Sequence, residues 1–191
     1  ALAVRPDPPW AVIAQENPAG LVLADLATRQ VLATIPLKNE PEALTVHPVT
    51  VEGLVLDEKA RALLRVDLDT RATVETVPLG EKPVAVAVDP TLNLAAVVLK
   101  KDKEPGPLGA LQLIQLPYPA PTLTTVSPAE ALRGSSTVTV TVTGNGFFIA
   151  SQVTADGQAL PTTYLSPTEL KTDLPAGFLT QAARLQLAVR N

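Results

Sequence analysis

The chain has 191 residues and a formal net charge of −4, and it shows no basic stripe that could neutralise the phosphates of a nucleic acid. It contains no cysteine, which excludes disulfides, thiol catalysis and cysteine-ligated zinc. No apolar run approaches the roughly 20 residues that a membrane-spanning helix needs. The sequence therefore predicts no nucleic-acid partner and no membrane insertion of this segment.

The first part of the chain repeats with a period of 42 residues, in three copies that begin at Ala1, Ala43 and Ala85. Pairs that share this offset are Leu21 and Leu63, Asp25 and Asp67, Thr28 and Thr70, Arg29 and Arg71, Pro36 and Pro78, and Pro48 and Pro90. A fixed period of about 40 to 45 residues that carries several short strands is typical of one blade of a β-propeller.

Each of the first two copies predicts four short strands whose apolar residues are mainly Val, Leu and Ala. The first strand of each copy ends at a proline, which cannot donate to a sheet ladder. The predicted strands are residues 1–6, 10–14, 20–26 and 30–37, then 43–48, 53–56, 63–68 and 72–79, then 85–90, 95–99 and 110–116. Asp and Thr after the third strand suit a turn that side-chain to backbone hydrogen bonds stabilise.

The third copy departs from the other two after Leu99. Residues 100–107 lengthen the loop by six residues, and the fourth strand does not follow. Alternating prolines over residues 117–121 instead predict a stiff, extended spacer. We therefore expect propeller blades at residues 1–117, a proline-rich linker at 118–120 and a second domain at 121–191.

The second domain begins with a different pattern. Residues 136–143 alternate Thr and Val with a period of two, which predicts a half-buried antiparallel strand. Further strands are predicted at residues 121–128, 151–155, 159–165, 169–174 and 184–189. This spacing is typical of a small β-sandwich, so the predicted fold class of the whole chain is all-β.

Both segments resemble known families. The repeat, read at residues 67–80 as Asp-Leu-Asp-Thr-Arg-Ala-Thr-Val-Glu-Thr-Val-Pro-Leu-Gly, resembles the YVTN-type (YncE-like) bacterial β-propeller repeat over residues 1–117. Residues 121–191 resemble an IPT/TIG domain, an immunoglobulin-like module. The motifs that carry the second resemblance are Val126-Ser127-Pro128, Gly144-Asn145-Gly146-Phe147, Ser166-Pro167-Thr168-Glu169-Leu170, Leu174-Pro175-Ala176 and Leu187-Ala188-Val189-Arg190-Asn191.

The resemblances imply a partial β-propeller of three four-stranded blades, the third incomplete, followed by an Ig-like β-sandwich that lacks its last strand. Propellers close with about four to eight blades. We therefore expect further 42-residue copies before Ala1 and a closing strand after Asn191 in the native polypeptide, or a second chain that completes the ring.

His47 is the single histidine, and it occupies the position that Arg5 and Asp89 hold in the other copies. We interpret it as an ordinary polar residue at the end of a strand, because no second histidine is present to complete a His-rich metal site. The three positions share one rim of the propeller, so a composite binding surface there is the alternative.

Three further features have a structural interpretation that we favour. Asp67 and Asp69 suit turn capping better than a carboxylate or calcium-ligand pair, and Trp10 suits packing between blades better than ligand stacking. Residues 144–147 lack the Lys and the following helix of a phosphate loop, so we expect a turn and a core phenylalanine. The loop at 100–107 fits either a binding loop or a solvated tip.

The sequence thus predicts no catalytic, cofactor-binding or metal-binding residue and no cofactor, which argues against an enzyme. The predicted function is a non-catalytic structural and interaction module of a large bacterial secreted or cell-surface protein, located outside the cytoplasm. Its expected partners are other domains of the same longer chain or other proteins at the cell surface. Two alternatives stay open: an accessory region of an extracellular carbohydrate-active enzyme, and a homo-oligomeric subunit of a strand-exchanging surface filament or layer.

Overall fold

The computed structural model describes residues 1–5, 8–101, 109–181 and 183–191 and divides the chain into two compact units, Ala1–Leu116 and Pro117–Asn191. Regular structure in these ranges is almost entirely β-strand, which confirms the predicted all-β class. No helix within them is long and apolar enough to cross a membrane.

The first unit contains three antiparallel sheets in chain order. Their strands are β1 (Leu2–Arg5), β2 (Trp10–Gln15), β3 (Gly20–Asp25) and β4 (Gln30–Pro36) in the first sheet, β5 (Pro41–His47), β6 (Glu52–Asp57), β7 (Ala62–Asp67) and β8 (Ala72–Pro78) in the second, and β9 (Lys82–Asp89), β10 (Leu94–Lys100) and β11 (Ala110–Gln115) in the third. Strands that are neighbours in sequence pair within each sheet, as the blade prediction requires.

The three sheets pack against each other, with the first strand of each sheet beside the first strand of the next: β1 beside β5, and β5 beside β9. One apolar core joins the first and second sheets and includes Leu21 and Val55. Another joins the second and third sheets and includes Leu63 and Val97. Because the second sheet is covered on both faces, β6 and β7 are nearly continuous buried runs.

The 42-residue period of the sequence is also a period of the backbone. The register between the third and fourth strands shifts after Leu23 in the first sheet and after Arg65, its equivalent, in the second. In the turn that follows the third strand, Arg29 and Arg71 both adopt a φ of 60°. Equivalent residues therefore have equivalent local structure in the two copies.

The third sheet ends at β11, and no fourth strand follows it in the described part of the first unit. Three prolines lie between residues 117 and 121, and a proline has no N–H to donate to β11. Residues 102–107 of the loop predicted at 100–107, which fits either a binding loop or a solvated tip, lie outside the described residues, whereas Lys100 is the last residue of β10.

The second unit is a sandwich of two antiparallel sheets. One has the order β12 (Thr122–Ser127), β13 (Thr137–Asn145), β17 (Glu169–Pro175), β16 (Thr162–Ser166), and the other the order β15 (Gln158–Ala159), β14 (Gln152–Ala155), β18 (Leu187–Arg190). The single strand predicted at 159–165 is wrong: it divides into β15 and β16 at Leu160 and Pro161. Likewise, β18 begins at Leu187 instead of residue 184. A short 3₁₀ helix at Ala176–Leu179 precedes β18.

Candidate interaction sites

The equivalent positions Arg5, His47 and Asp89 are the last residues of β1, β5 and β9, and they lie at one rim of the first unit, which we call the first rim. The Arg5 Nε and Nη2 atoms both lie 3.4 Å from the Pro48 carbonyl oxygen, to which they donate. The same guanidinium lies 5.9 Å from the centre of the Trp10 ring. Arg5 therefore connects the first sheet to a turn of the second.

His47 is fully buried and connects the second sheet to the third. Its Nδ1 accepts hydrogen bonds from the backbone N–H groups of Val49 at 3.2 Å and Thr50 at 3.1 Å, and the Asn93 side chain of the third sheet interacts with the ring. Burial lowers the pKa of His47 to about 4; the Asn93 contact opposes this shift, and the charge of Arg65 adds to it. The imidazole is therefore neutral at pH 7, with its proton on Nε2.

Asp89 completes the comparison of the three equivalent positions. Its Oδ1 accepts hydrogen bonds from the N–H groups of Thr91 at 2.8 Å and Leu92 at 3.0 Å. His47 makes the same pair of bonds to the residues two and three positions after it. The first rim thus uses these positions to cap turns and to join adjacent sheets, which matches the structural interpretation of His47.

A buried charged cluster lies on the face of the second sheet that carries His47. Arg65 is 9% exposed and donates to Glu52 through Nε at 3.1 Å and through Nη2 at 2.6 Å. It also donates to Glu75, whose side chain is 46% exposed. Burial acts to lower the pKa of Arg65, but the hydrogen bonds and charges of the two glutamates outweigh it, and the pKa is raised. Arg65 is therefore charged and paired with both glutamates.

The sequence reasoning missed this cluster, although a signal for it exists. The equivalents of Arg65 are Leu23 in the first copy and Leu113 in the third. An arginine inside an otherwise apolar predicted strand requires a buried acidic partner, because an unpaired charge is costly to bury. The sequence alone does not identify Glu52 as that partner, because this requires the strand register: Arg65 lies opposite Leu54 on β6 and reaches Glu52 diagonally.

The Asp67 and Asp69 pair serves a turn, as predicted. Asp67 Oδ1 accepts from the N–H groups of Asp69 at 2.9 Å and Thr70 at 2.8 Å. Asp25 caps the equivalent turn of the first copy in the same way. Among the described residues, no three His, Cys, Asp or Glu side chains come together as a group able to hold a metal ion.

A polar cleft of about 690 Å³ opens at the opposite rim of the first unit, which we call the second rim. There the loops between second and third strands meet the segments that connect one sheet to the next. The charged residues of the cleft are Glu16, Glu40, Glu42 and Glu58 with Lys38, Lys59, Arg61 and Lys82. The cleft combines four acidic and four basic side chains, so it has no excess of either sign.

Three hydrogen bonds connect the walls of this cleft. Lys82 donates to Glu58 at 2.7 Å, which connects the start of the third sheet to the second. Asp57 is 3% exposed and accepts from the Asn39 amide at 2.8 Å and from the Ala60 N–H at 2.7 Å. The buried Asp57 therefore fixes its own loop to the segment that carries Asn39, and the Lys82–Glu58 pair, whose side chains are 42% and 40% exposed, adds a contact at the surface. Lys59 and Glu40 are exposed.

Trp10 and the glycine-rich turn of the second unit both have packing roles. Trp10 is half-buried and packs on the core between the first two sheets. A Cβ on Gly144 would lie 1.9 Å from the Thr122 carbonyl oxygen, and Gly146 has a φ of 72°. Phe147 is fully buried in the sandwich core. The segment is the turn and core anchor that the sequence predicts.

Comparison with known proteins identifies the second unit. Residues 121–191 match the IPT/TIG domain family, which confirms this resemblance for that segment. No curated protein matches the chain. No repeat family of the YVTN type was found for the first unit, so that assignment stays a prediction.

One similar solved structure is hydrazine synthase of Kuenenia stuttgartiensis, with 11% sequence identity and a TM-score of 0.45. The match covers 75% of this chain and 55% of the hydrazine synthase chain, so the present chain spans about half the length of that protein.

Proposed function

We propose that this chain is a non-catalytic interaction module of a bacterial secreted or cell-surface protein, and that the cleft at the second rim is its protein-binding site. The observation that carries the proposal is a preformed, exposed cleft that brings basic and acidic side chains together on loops connected through Asp57 and Lys82. Loops on a rigid β scaffold commonly carry binding function, because they escape the packing constraints of the strands.

The charge pattern of the cleft indicates the class of partner. A nucleic acid requires Lys and Arg in excess, whereas the four basic side chains of this cleft are matched by four acidic ones. Complementary patterns of mixed sign fix the orientation of two proteins and select against wrong partners. The expected partner is therefore another folded protein, or another domain of the same longer chain, with its own mixed charges.

The proposed location is outside the cytoplasm. Its support is the IPT/TIG domain at residues 121–191, an Ig-like domain that is often found in extracellular or surface-associated proteins. A domain family by itself is an argument by analogy, so the location needs its own measurement. Protease treatment of intact cells that produce the chain should digest it, whereas a cytoplasmic marker protein should stay intact.

Site-specific photo-crosslinking in those cells tests the binding site. A photoreactive amino acid at position 59, in the cleft, should give one or a few defined crosslinked products, and the same probe at Lys171 of the second unit should not. The charge reversals Lys59→Glu and Arg61→Glu should reduce the product formed by a probe placed at Glu40. Equal crosslinking from positions 59 and 171, or no defined product from either position, would contradict the proposed site.

A second candidate function is strand exchange with a neighbouring chain. In the described part of the sandwich, β18 pairs with β14 on one side only, and Leu187 and Val189 are half-buried over the core. An exposed strand edge can accept a strand from another chain. Hydrogen exchange tests this: slow exchange of the β18 edge amides only in an assembled form would support the candidate, and equal exchange in assembled and unassembled protein would oppose it.

A further inference from the structure

The outer face of the first sheet exposes three apolar side chains. Leu2 is 63% exposed, Val4 58% and Ile13 40%. Their equivalents one repeat later are Leu44, Val46 and Val55, which are at most 8% exposed because they pack against the first sheet. The first sheet therefore presents to solvent the same set of positions that the second sheet buries. We call Leu2, Val4 and Ile13 the leading face.

The outer face of the third sheet exposes the complementary set. Val98 is 42% exposed, Leu111 63% and Leu113 58%. Their equivalents in the second sheet are Leu56, Leu63 and Arg65, which are at most 9% exposed because they face the third sheet. The strand register agrees with this equivalence, since Val98 lies opposite Leu111 as Leu56 lies opposite Leu63. We call Val98, Leu111 and Leu113 the trailing face.

The leading and trailing faces are the two halves of one interface. The chain already forms this interface twice, between the first and second sheets and between the second and third. At the trailing face Leu113 replaces the charged Arg65, and Leu94 occupies the position of its partner Glu52. The trailing face is thus more apolar than its buried equivalent, and it needs no acidic partner when it is covered.

We propose that the trailing face of one chain packs on the leading face of a second copy of the same chain. Two such contacts, related by a two-fold axis, arrange the six sheets of two 191-residue segments in one ring, and known propellers have about four to eight blades. A contact between unlike faces closes when the rotation completes a ring, and otherwise it continues as an open filament. This inference concerns the two sheet faces and not the cleft at the second rim, so either proposal can fail alone.

Measurement of molar mass tests the proposal directly. The purified 191-residue chain, studied by sedimentation velocity and light scattering between about 1 and about 100 µM, should show twice the chain mass of 20.0 kDa. Leu2→Lys and Leu111→Lys each bury an unpaired charge in the contact, so each should weaken association at least about tenfold. Leu132→Lys is the matched control, because Leu132 is 83% exposed in the second unit.

Mixing the two variants tests whether the contact joins unlike faces. Leu2→Lys has an intact trailing face and Leu111→Lys an intact leading face, so an equimolar mixture can form one contact without a lysine, which neither variant can form alone. The mixture should therefore give a 1:1 complex that is tighter than the self-association of either variant, although its second contact carries both lysines. Both substitutions lie at exposed positions, and unchanged circular dichroism will show that both variants fold. A monomeric wild-type chain, a mixture that does not associate, or an open series of masses in place of a dimer would overturn the proposed ring.

Discussion

The buried Arg65 cluster allows a prediction of stability from the repeat itself. Arg65→Leu introduces the residue that the first and third copies carry at this position. It removes both hydrogen bonds to Glu52, whose side chain is only 13% exposed, and the contact with Glu75. The variant therefore leaves a carboxylate next to an apolar sheet interface without its cation.

The expected cost follows from the burial of each partner. Removal of one member of a buried ion pair typically costs about 3 to 5 kcal/mol, because the remaining charge is uncompensated. The Glu75 side chain is half exposed and can turn to water, so loss of its contact with Arg65 contributes about 0.5 kcal/mol to the destabilisation. Glu52 keeps some contact with solvent, which places the total free-energy loss near the lower limit, at about 3 kcal/mol.

The triple variant Arg65→Leu, Glu52→Leu, Glu75→Ala supplies the matched control. Each new residue occurs at the equivalent position of another copy: Leu113, Leu94 and Ala33. Because no charge is left behind, its stability should lie within about 1 kcal/mol of the wild type. Urea denaturation followed by fluorescence measures both, since Trp10 is the single tryptophan and reports on the first unit. A triple variant as unstable as Arg65→Leu alone would refute the reasoning.

Three further predictions concern named side chains. The folded pKa of His47, about 4, lies below its ordinary value of 6.5, so the stability contributed by the neutral ring is full above pH 6.5 and is lost as the pH falls towards 4. Over that range the free energy of unfolding of the wild type, measured by urea titration at each pH, should fall by about 3 kcal/mol more than that of His47→Asn. Equal losses in the two proteins would contradict this prediction. Gly144→Ala should destabilise the second unit by more than about 3 kcal/mol in thermal unfolding, whereas Gly177→Ala, where a Cβ meets no atom within 4 Å, should change stability by less than about 0.5 kcal/mol. Asp67→Ala should cost about 1 kcal/mol through loss of two turn hydrogen bonds, and Asp69→Ala close to nothing; similar urea midpoints for the two variants would count against the capping role.

Features that depend on local pattern were predictable from sequence. The constant offset of 42 residues located the strands of the first unit, and the turn-capping role of Asp67 followed from its position after a strand. The Val and Thr alternation located β13. In each case the signal lies within a few residues of the feature, because strand alternation and turn chemistry are local properties.

Features that depend on register or on distant loops were not predictable in the same way. The contact between His47 and Asn93 crosses from the second sheet to the third, and it requires the stacking of the sheets to be known. The cleft at the second rim collects Glu16, Lys38 and Lys59 from separate connections. The strand predicted at 159–165 divides at Pro161, which periodicity alone does not reveal.

The central claim is that the described residues of the first unit form a stack of equivalent sheets, among which the second alone is covered on both faces. Hydrogen–deuterium exchange of the Leu2→Lys variant, whose outer faces should be uncovered, tests this claim most directly. The account predicts slowest exchange for the amides of β6 and β7, and faster exchange for β2 and β3, which are also inner strands of a four-stranded sheet but have one uncovered face. Exchange of β6 and β7 as fast as that of β2 and β3 would contradict the stacked arrangement.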